Sequence, residues 1–236
     1  MPWPRAAAAA LAAWLPFSAV AAADTYTLDP VHTRVLFAIE HAGFSKALGT
    51  VSGSSGVLVF DRDDWRSARL DVRVPLQRLD LGDTKWNTAA LAANLLDGEH
   101  HPEAHFVSTA VEPVAADRAR VCGDLRLRGV TRPLCLDVTL NAIKRHPLPP
   151  FRRTAGFSAT ATISRSDFGI DAWKNVIGDC VELRIEAEAV RSRNGPDDET
   201  DDARPPLIPA EPAGEPIPPP DPASQNTPSP APEPTP

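Results

Sequence analysis

The sequence predicts an all-β fold of about eight antiparallel strands, with a short helix between strands three and four. Three observations predict it. Several segments alternate regularly between apolar and polar residues, which is the pattern of strands with one buried face. Turn-forming residues separate these segments. A single stretch in the middle of the chain departs from this period and has the spacing of a helix.

The first three strands are predicted before residue 75. Less regular apolar runs at 31–40 and 50–60 give the first two strands. The Gly53-Ser54-Ser55-Gly56 run inside the second is interpreted as a bend or bulge. The third strand is clearer, because Leu70, Val72 and Val74 share one face while charged residues share the other.

Helical spacing replaces alternation between Trp86 and Leu96. Leu91, Leu95 and Leu96 recur at intervals typical of a helix face, with alanines between them. Asp83 or Thr84 has the side chain to cap the helix start. We expect this helix to lie across one end of the β-structure.

Five further strands are predicted at 104–112, 124–128, 134–140, 157–163 and 181–186. Eight antiparallel strands with one apolar face can close into a barrel and remove exposed edges, although a two-sheet sandwich uses the same pattern. A barrel of this size is either filled by side chains or keeps room for one ligand. Small residues on the predicted inner face (Ala38, Ala159, Ala161, Ala187) favour room, whereas Phe37, Phe106 and Phe157 favour filling.

The two ends of the chain differ in composition from the middle. Residues 1–23 have a positive Arg5, a short apolar stretch and small residues at the end, which predicts a cleaved secretory signal peptide and a periplasmic location. The folded domain is assigned to 24–193. Residues 194–236 contain 15 of the 26 prolines and nine acidic residues against one arginine. This composition predicts a disordered tail.

The charge of the chain resides mainly in that tail. The whole chain has a net charge of −7, and without the tail and the signal peptide the remaining residues are neutral overall. Nothing in the folded part therefore indicates electrostatic attraction to nucleic acid or to anionic lipid.

Three cysteines in an exported chain allow one disulfide. If a four-residue turn pairs Leu127 with Leu134, then Cys122 and Cys135 are offset by about 13 Å along their strands. That separation exceeds the ~7 Å that a disulfide can bridge. A bridge to Cys180, or no bridge at all, stays open at this point.

A set of motifs in a fixed order resembles the YceI-like family of periplasmic, lipocalin-like proteins that bind polyisoprenoids. The matching stretches, spread over residues 26–190, are Tyr26-Thr27-Leu28-Asp29-Pro30-Val31-His32-Thr33, His41-Ala42-Gly43-Phe44-Ser45, Gly49-Thr50-Val51-Ser52-Gly53, Pro102-Glu103-Ala104-His105-Phe106, residues 123–133, and Gly156-Phe157 through Ile163-Ser164-Arg165-Ser166-Asp167-Phe168-Gly169. The chain departs from the family pattern at Lys85-Trp86-Asn87 and in its tail. The resemblance implies an eight-stranded antiparallel lipocalin-like barrel with a long apolar channel.

The resemblance also implies a function. We expect a periplasmic binding or carrier protein for a long-chain isoprenoid lipid, either a polyprenyl phosphate or an isoprenoid quinone, held in the barrel interior. The alternatives are an accessory that lends a quinone to a membrane cytochrome, and a metal-binding envelope protein. The expected partners are the lipid or quinone, the cytochrome in the alternative, and a second copy of the chain in a homodimer.

Candidate ligand contacts come from the matched segments and from the alternation of inward and outward residues along each strand. They are Phe37, Ile39, His41, Phe44, Trp86, Leu91, Phe106, Arg128, Phe157, Arg165 and Phe168. The apolar members would contact the chain of the lipid, and most of them would equally serve as ordinary core. Arg128 and Arg165 would meet a phosphate or carbonyl head group, or else remain solvated beside Asp124 and Asp167.

Catalytic and metal motifs are sparse. The sequence lacks the Gly-x-Ser-x-Gly, His-Glu-x-x-His and Cys-x-x-Cys-His patterns, so an enzyme is not expected. Three histidines fall between Glu99 and His105, but Pro102 makes this segment an extended turn and no second cluster completes a metal site. No metal or other cofactor is predicted beyond the bound lipid or quinone.

Overall fold

The computed structural model describes residues 23–192, so the predicted signal peptide and acidic tail lie outside the described residues. The strands are β1 (Asp24–Leu28), β2 (Arg34–His41), β3 (Ser45–Ser52), β4 (Ser55–Phe60), β5 (Arg69–Pro75), β6 (Leu79–Asp80), β7 (Glu103–Ala115), β8 (Arg118–Leu127), β9 (Val130–Arg145), β10 (Arg153–Ser164) and β11 (Ile177–Arg191). One α-helix, α1 (Thr84–Leu91), and three short 3-10 helices (Trp65–Ser67, Leu76–Arg78, Arg165–Phe168) complete the described elements. Among these helices, none is long and apolar enough to span a bilayer.

The strands form a closed, eight-stranded antiparallel barrel, as the sequence predicts. Closure occurs where β1 pairs with both β4 and β11, which joins the two sides of the sheet. We call each of the eight strand positions around the barrel a stave. Five staves, β7 to β11, are continuous strands and follow one another around the wall in chain order. A closed ring leaves few free edges, because each of these strands has a neighbour on both sides.

The first three staves are each interrupted. β1 and β2 lie end to end beside β11 and together form the first stave. In the same way, β3 and β4 form the second stave, and β5 and β6 form the third. Gly53, whose φ is +77°, marks the break between β3 and β4, where the sequence predicts a bend. These breaks explain why eleven strand segments form only eight staves.

The helix covers one end of the barrel, between the third and fourth staves, as the sequence predicts. Among the described strands β6 pairs with β3 alone, and α1 lies between β6 and β7 in the chain. The Asp83 carboxylate caps the helix by accepting hydrogen bonds from the Lys85 and Trp86 N–H groups. The helix ends at Leu91 rather than at Leu96, because the chain folds back there and the Gly98 N–H donates to the Leu91 carbonyl.

A disulfide joins Cys122 to Cys135, and the predicted offset between them is wrong. The turn between β8 and β9 has two residues, Arg128 and Gly129, and both have positive φ (49° and 75°). This is the geometry of a tight hairpin turn whose twist matches the flanking strands. It pairs residue 127 with residue 130, which sets the two cysteines directly opposite each other with Cα atoms 4.0 Å apart. Cys180 is free and exposed.

We expect the Cys122→Ser/Cys135→Ser variant to have a free energy of unfolding about 2–3 kcal/mol lower than the parent. The reason is that the bridge closes a short loop in the unfolded chain. Urea denaturation of the oxidised proteins measures this difference. Cys180→Ser is the matched control and should change stability little. An equal loss in both variants would contradict the assigned pairing.

Candidate binding cavity

The barrel encloses an apolar cavity of about 530 Å³ that runs along most of its length. Side chains from all eight staves and from α1 line it. Within residues 23–192, the only polar residues on its wall are Thr33, Glu40, His41, Ser54, Arg69 and Arg165. A cavity of this size and polarity lies in the range of small-molecule binding sites.

The cavity exists because the inward-facing side chains do not fill the barrel. On the β2 and β11 wall, inward residues such as Val35, Ile39 and Leu183 keep partial exposure although they face the interior. Ala159 and Ala187 also face inward and line the cavity. Ala38, expected inward, points the other way because it alternates with Phe37 and Ile39 along β2.

Phe37 lies against the wall rather than across the cavity because of a glycine on the neighbouring strand. Gly49 of β3 pairs with Phe37, and a Cβ there would overlap the Phe37 ring. Gly123 of β8 makes similar room for the ring of Phe106. Both rings therefore line the cavity without filling it.

An aromatic cluster closes the end of the barrel where β1 begins and β11 ends. The Phe60 ring packs edge-on against Trp65 and Phe157, with centroid distances of 4.9 and 5.7 Å. Phe60 and Trp65 are both buried. These three residues form the floor of the cavity.

The mouth lies at the opposite end, between the β2–β3 turn and α1. Glu40, Trp86 and Ala89 line the cavity and are also exposed to solvent, so the interior opens there. The His41 ring lies 5.1 Å from the Trp86 ring, centroid to centroid. His41 and Trp86 thus stand together at the entrance, one from the barrel and one from the helix.

Two buried hydroxyls interrupt the apolar wall at the break in the first two staves. Thr33 donates to the Glu188 carbonyl oxygen at 3.3 Å. Ser54 is buried, and its hydroxyl has no hydrogen-bond partner among the described residues. An unpartnered hydroxyl of this kind can serve an oxygen atom of a bound molecule.

Arg165 is buried on the cavity wall and is held by backbone carbonyls. Its guanidinium donates to the carbonyl oxygens of Ile170, Ala172, Ile177 and Gly178, at 2.7–2.9 Å. These four bonds fix the 170–178 loop to the 3-10 helix at residues 165–168. The expectation of a solvated arginine beside Asp167 is therefore wrong, since Arg165 is buried.

We expect Arg165→Met to lower the free energy of unfolding by about 3 kcal/mol or more. The substitution leaves several buried carbonyl oxygens without a donor. Arg184→Met is the matched control, because Arg184 is exposed and bonds only to Glu186 on its own strand. Chemical denaturation measures both variants, and comparable stability of the two would contradict this role.

Phe44, Leu91, Arg128 and Phe168, all predicted ligand contacts, lie off the cavity wall. Phe44 is at the tip of the β2–β3 turn and 92% exposed, since strand parity does not extend into a turn. Leu91 packs at the helix end near Gly98, and Phe168 is a buried core residue. Arg128 donates to the Ala93 and Gly169 carbonyl oxygens, which ties the helix segment to the neighbouring loop. The other seven candidates line the cavity: Phe37, Ile39, His41, Trp86, Phe106, Phe157 and Arg165.

Several cavity residues were not predicted from the sequence. The floor residues Phe60 and Trp65 lie just before and just after a turn, where the alternation of apolar and polar residues does not show which way a side chain points. Leu95 and Leu96 line the cavity because the chain turns inward after α1. Ser54 lies at a strand break, and only the glycine before it marks the position.

A polar cluster of Asp29, His32 and Glu188 lies outside the cavity, with ligand-type atoms within 4.8 Å of one another. This cluster is separate from the histidine-rich Glu99–His105 segment considered as a metal site from the sequence. In that segment His100 pairs with Asp97 and His105 pairs with Asp71. Asp29 already accepts hydrogen bonds from the Val31 and His32 N–H groups and lies 2.7 Å from the His32 ring nitrogen. These hydrogen bonds stabilise the break between β1 and β2, which accounts for the cluster.

The hydrogen bond to Asp29 raises the pKa of His32. Burial alone would raise the pKa of Asp29 as well, but hydrogen bonds from the His32 side chain and from the Val31 and His32 N–H groups lower it overall. The His32 contribution to stability is therefore complete below about pH 6.5 and is lost as the pH rises through the higher folded-state pKa. The Asp29 contribution is lost instead as the pH falls through its depressed pKa.

We expect Asp29→Asn to return the pKa of His32 toward its ordinary value. An NMR titration of the imidazole carbon-bound protons in both proteins measures the change. Asp63→Asn, an exposed position in another loop, should leave the His32 titration unchanged. An unchanged pKa in Asp29→Asn would contradict the assigned pair.

Comparison with known proteins places this architecture in a family. A family model described as YceI-like domain matches residues 26–189. A UPF0312 protein of Pseudomonas savastanoi is 34% identical over 166 residues, covering 70% of this chain and 85% of that protein. A UPF0312 protein of Pectobacterium atrosepticum is 31% identical over 176 residues, covering 75% of this chain and 90% of that protein.

Solved structures share the fold. Burkholderia cenocepacia BcnA superimposes with a TM-score of 0.62 at 20% identity, covering 68% of this chain and 98% of that one. A polyisoprenoid binding domain from Saccharophagus degradans has a TM-score of 0.56 at 14% identity, covering 71% of this chain and 98% of that one. At such low identity these likenesses bear on the fold alone.

Proposed function

Because the chain belongs to the YceI-like family, we propose that it is a periplasmic carrier of a long isoprenoid lipid, held in the barrel cavity. The observation that supports this proposal best is the continuous apolar wall from the mouth at Trp86 to the floor at Phe60. Lipid binding agrees with the family and with the polyisoprenoid binding domain of Saccharophagus degradans. A polyprenyl phosphate and an isoprenoid quinone both have the required chain.

The cavity volume limits the length of chain that can be buried. At about 530 Å³, the cavity lies in the range of sites that bury most of a drug-sized molecule, so it can hold several isoprene units. A longer lipid would extend through the mouth, past His41 and Trp86.

The energetics favour long ligands over short ones. Burial of a methylene group contributes about 0.8 kcal/mol, whereas association costs on the order of 4–15 kcal/mol. A chain that fills the cavity can offset this cost, and a short one cannot. The proposed function is binding rather than catalysis, because the wall offers an apolar surface and few polar groups.

Two features support a periplasmic site of action. Residues 1–23 have the composition of a secretory signal peptide. The Cys122–Cys135 disulfide suits an oxidising compartment, since such bridges are rare in the cytosol.

We expect affinity to rise with isoprenoid length until the cavity is full. Quenching of tryptophan fluorescence by geraniol, farnesol, geranylgeraniol and a longer polyprenol, without detergent, gives the series. Each added isoprene unit should strengthen binding about tenfold or more until the chain fills the cavity, and little thereafter. No binding by any member of the series would contradict the proposal.

A cavity-filling variant tests where the chain binds. Ala159→Phe places a ring in the cavity and should weaken geranylgeraniol binding at least about tenfold. Thr160→Phe is the matched control, because Thr160 is the next residue on β10 and faces the exterior. Equal affinities of the two variants would place the ligand elsewhere.

A further inference from the structure

Exposed apolar side chains surround the mouth of the cavity. Phe44 is 92% exposed, Trp173 63% and Trp86 44%, and Val176 is also exposed. They come from three separate segments: the β2–β3 turn, the loop before β11, and α1. Clusters of exposed apolar groups on a protein surface mark interaction sites.

Contacts around His41 bring these segments together. The Ala42 N–H donates to the Val176 carbonyl oxygen at 2.6 Å, and His41 is the register partner of Ile177. The Val176 N–H in turn donates to the Trp173 carbonyl oxygen at 2.8 Å. The tilted contact between the His41 and Trp86 rings adds the helix to the same surface. We call Phe44, Trp86, Trp173 and Val176 the mouth rim.

Lysines accompany the aromatic residues of the mouth rim. The chain has four lysines, and three of them lie within two residues of a rim aromatic: Lys46 near Phe44, Lys85 beside Trp86 and Lys174 beside Trp173. Lys46 pairs with Glu182 and Lys174 with Asp171, but all four side chains are exposed. Exposed pairs of this kind contribute little, so the ammonium groups can exchange partners at low cost.

We propose that the mouth rim docks on the surface of a lipid bilayer containing anionic lipids. Phe44 and Trp173 enter the boundary between head groups and acyl chains, and the three lysines contact lipid phosphates. Aromatic side chains beside lysines are characteristic of membrane interfaces. This inference rests on the proposed function for its purpose, since docking would let a lipid chain pass between membrane and cavity.

A bilayer fits this surface better than a protein partner does. The rim residues project from three segments rather than forming a groove or a free sheet edge, which suits a deformable apolar surface. Trp86 belongs both to the rim and to the cavity wall, so the apolar surface continues from the outside to the inside. A chain that moves along this path avoids water, where each methylene would cost about 0.8 kcal/mol.

The opposite end of the barrel provides a matched comparison. Val114 and Leu148 are 67% and 64% exposed there, similar to Trp173. They lie at the floor end, where Phe60 and Trp65 close the cavity. Apolar exposure is therefore present at both ends, but among the described residues it is combined with aromatic residues beside lysines at the mouth end alone.

Vesicle co-sedimentation of the full chain tests the proposal. The vesicles contain phosphatidylcholine alone or phosphatidylcholine with phosphatidylglycerol. We expect Phe44→Ser/Trp173→Asn to weaken binding to the mixed vesicles by roughly a hundredfold. Asparagine suits position 173, where φ is +58°. Val114→Ser/Leu148→Ser should bind as the parent does, and both variants keep the same termini, so any contribution of the chain ends is common to both.

Geranylgeraniol titration without vesicles separates this inference from the proposed function. Phe44 and Trp173 do not line the cavity, so the rim variant should bind the prenol with parental affinity. Prenol binding without vesicle binding in the parent overturns the docking surface and leaves the carrier function standing. Equal vesicle binding by the two double variants, or loss in the Val114/Leu148 variant instead, overturns it as well. If the parent binds equally well to vesicles with and without phosphatidylglycerol, the role of the lysines is overturned.

Discussion

The structure depends on one constraint: the inner face of the barrel carries too little side-chain volume to fill the space that eight staves enclose. Alanines at 159 and 187 and glycines at 49 and 123 occupy inward positions where larger residues would meet across the interior. The phenylalanines that might have filled the space lie along the wall instead. An apolar interior of this kind is unfavourable for water, because water needs several polar partners. It therefore favours an apolar occupant.

The rest of the architecture keeps that interior open at one end and closed at the other. The aromatic floor of Phe60, Trp65 and Phe157 seals the end where β1 begins and β11 ends. At the other end, β6 lacks a second neighbour, and α1 occupies the gap without plugging it. Arg165 holds the adjacent loop through four carbonyl oxygens, so the mouth is shaped by fixed hydrogen bonds.

The strands and the helix were predictable because they rest on local patterns, whereas closure into a barrel was implied by the family resemblance. Period-two alternation identifies strands whatever their partners, and the Asp83 cap marks the start of the helix. The hairpin register was predicted incorrectly because the turn uses Arg128 in a left-handed conformation, which is uncommon for residues other than glycine. The disulfide followed from that turn, so it was missed with it. Trp65 left no periodic signal in the sequence, and Leu95 carried the spacing of a helix that in fact ends at Leu91.

Native mass spectrometry of the protein isolated without detergent from the cells that produce it tests the central claim most directly. If the interior is an open apolar cavity, each chain should retain one lipid with an isoprenoid chain, identifiable after organic extraction. The same mass should reappear when the delipidated protein is incubated with polyprenol. A protein that carries no lipid on isolation, and takes up none from an excess of polyprenol, would contradict the account.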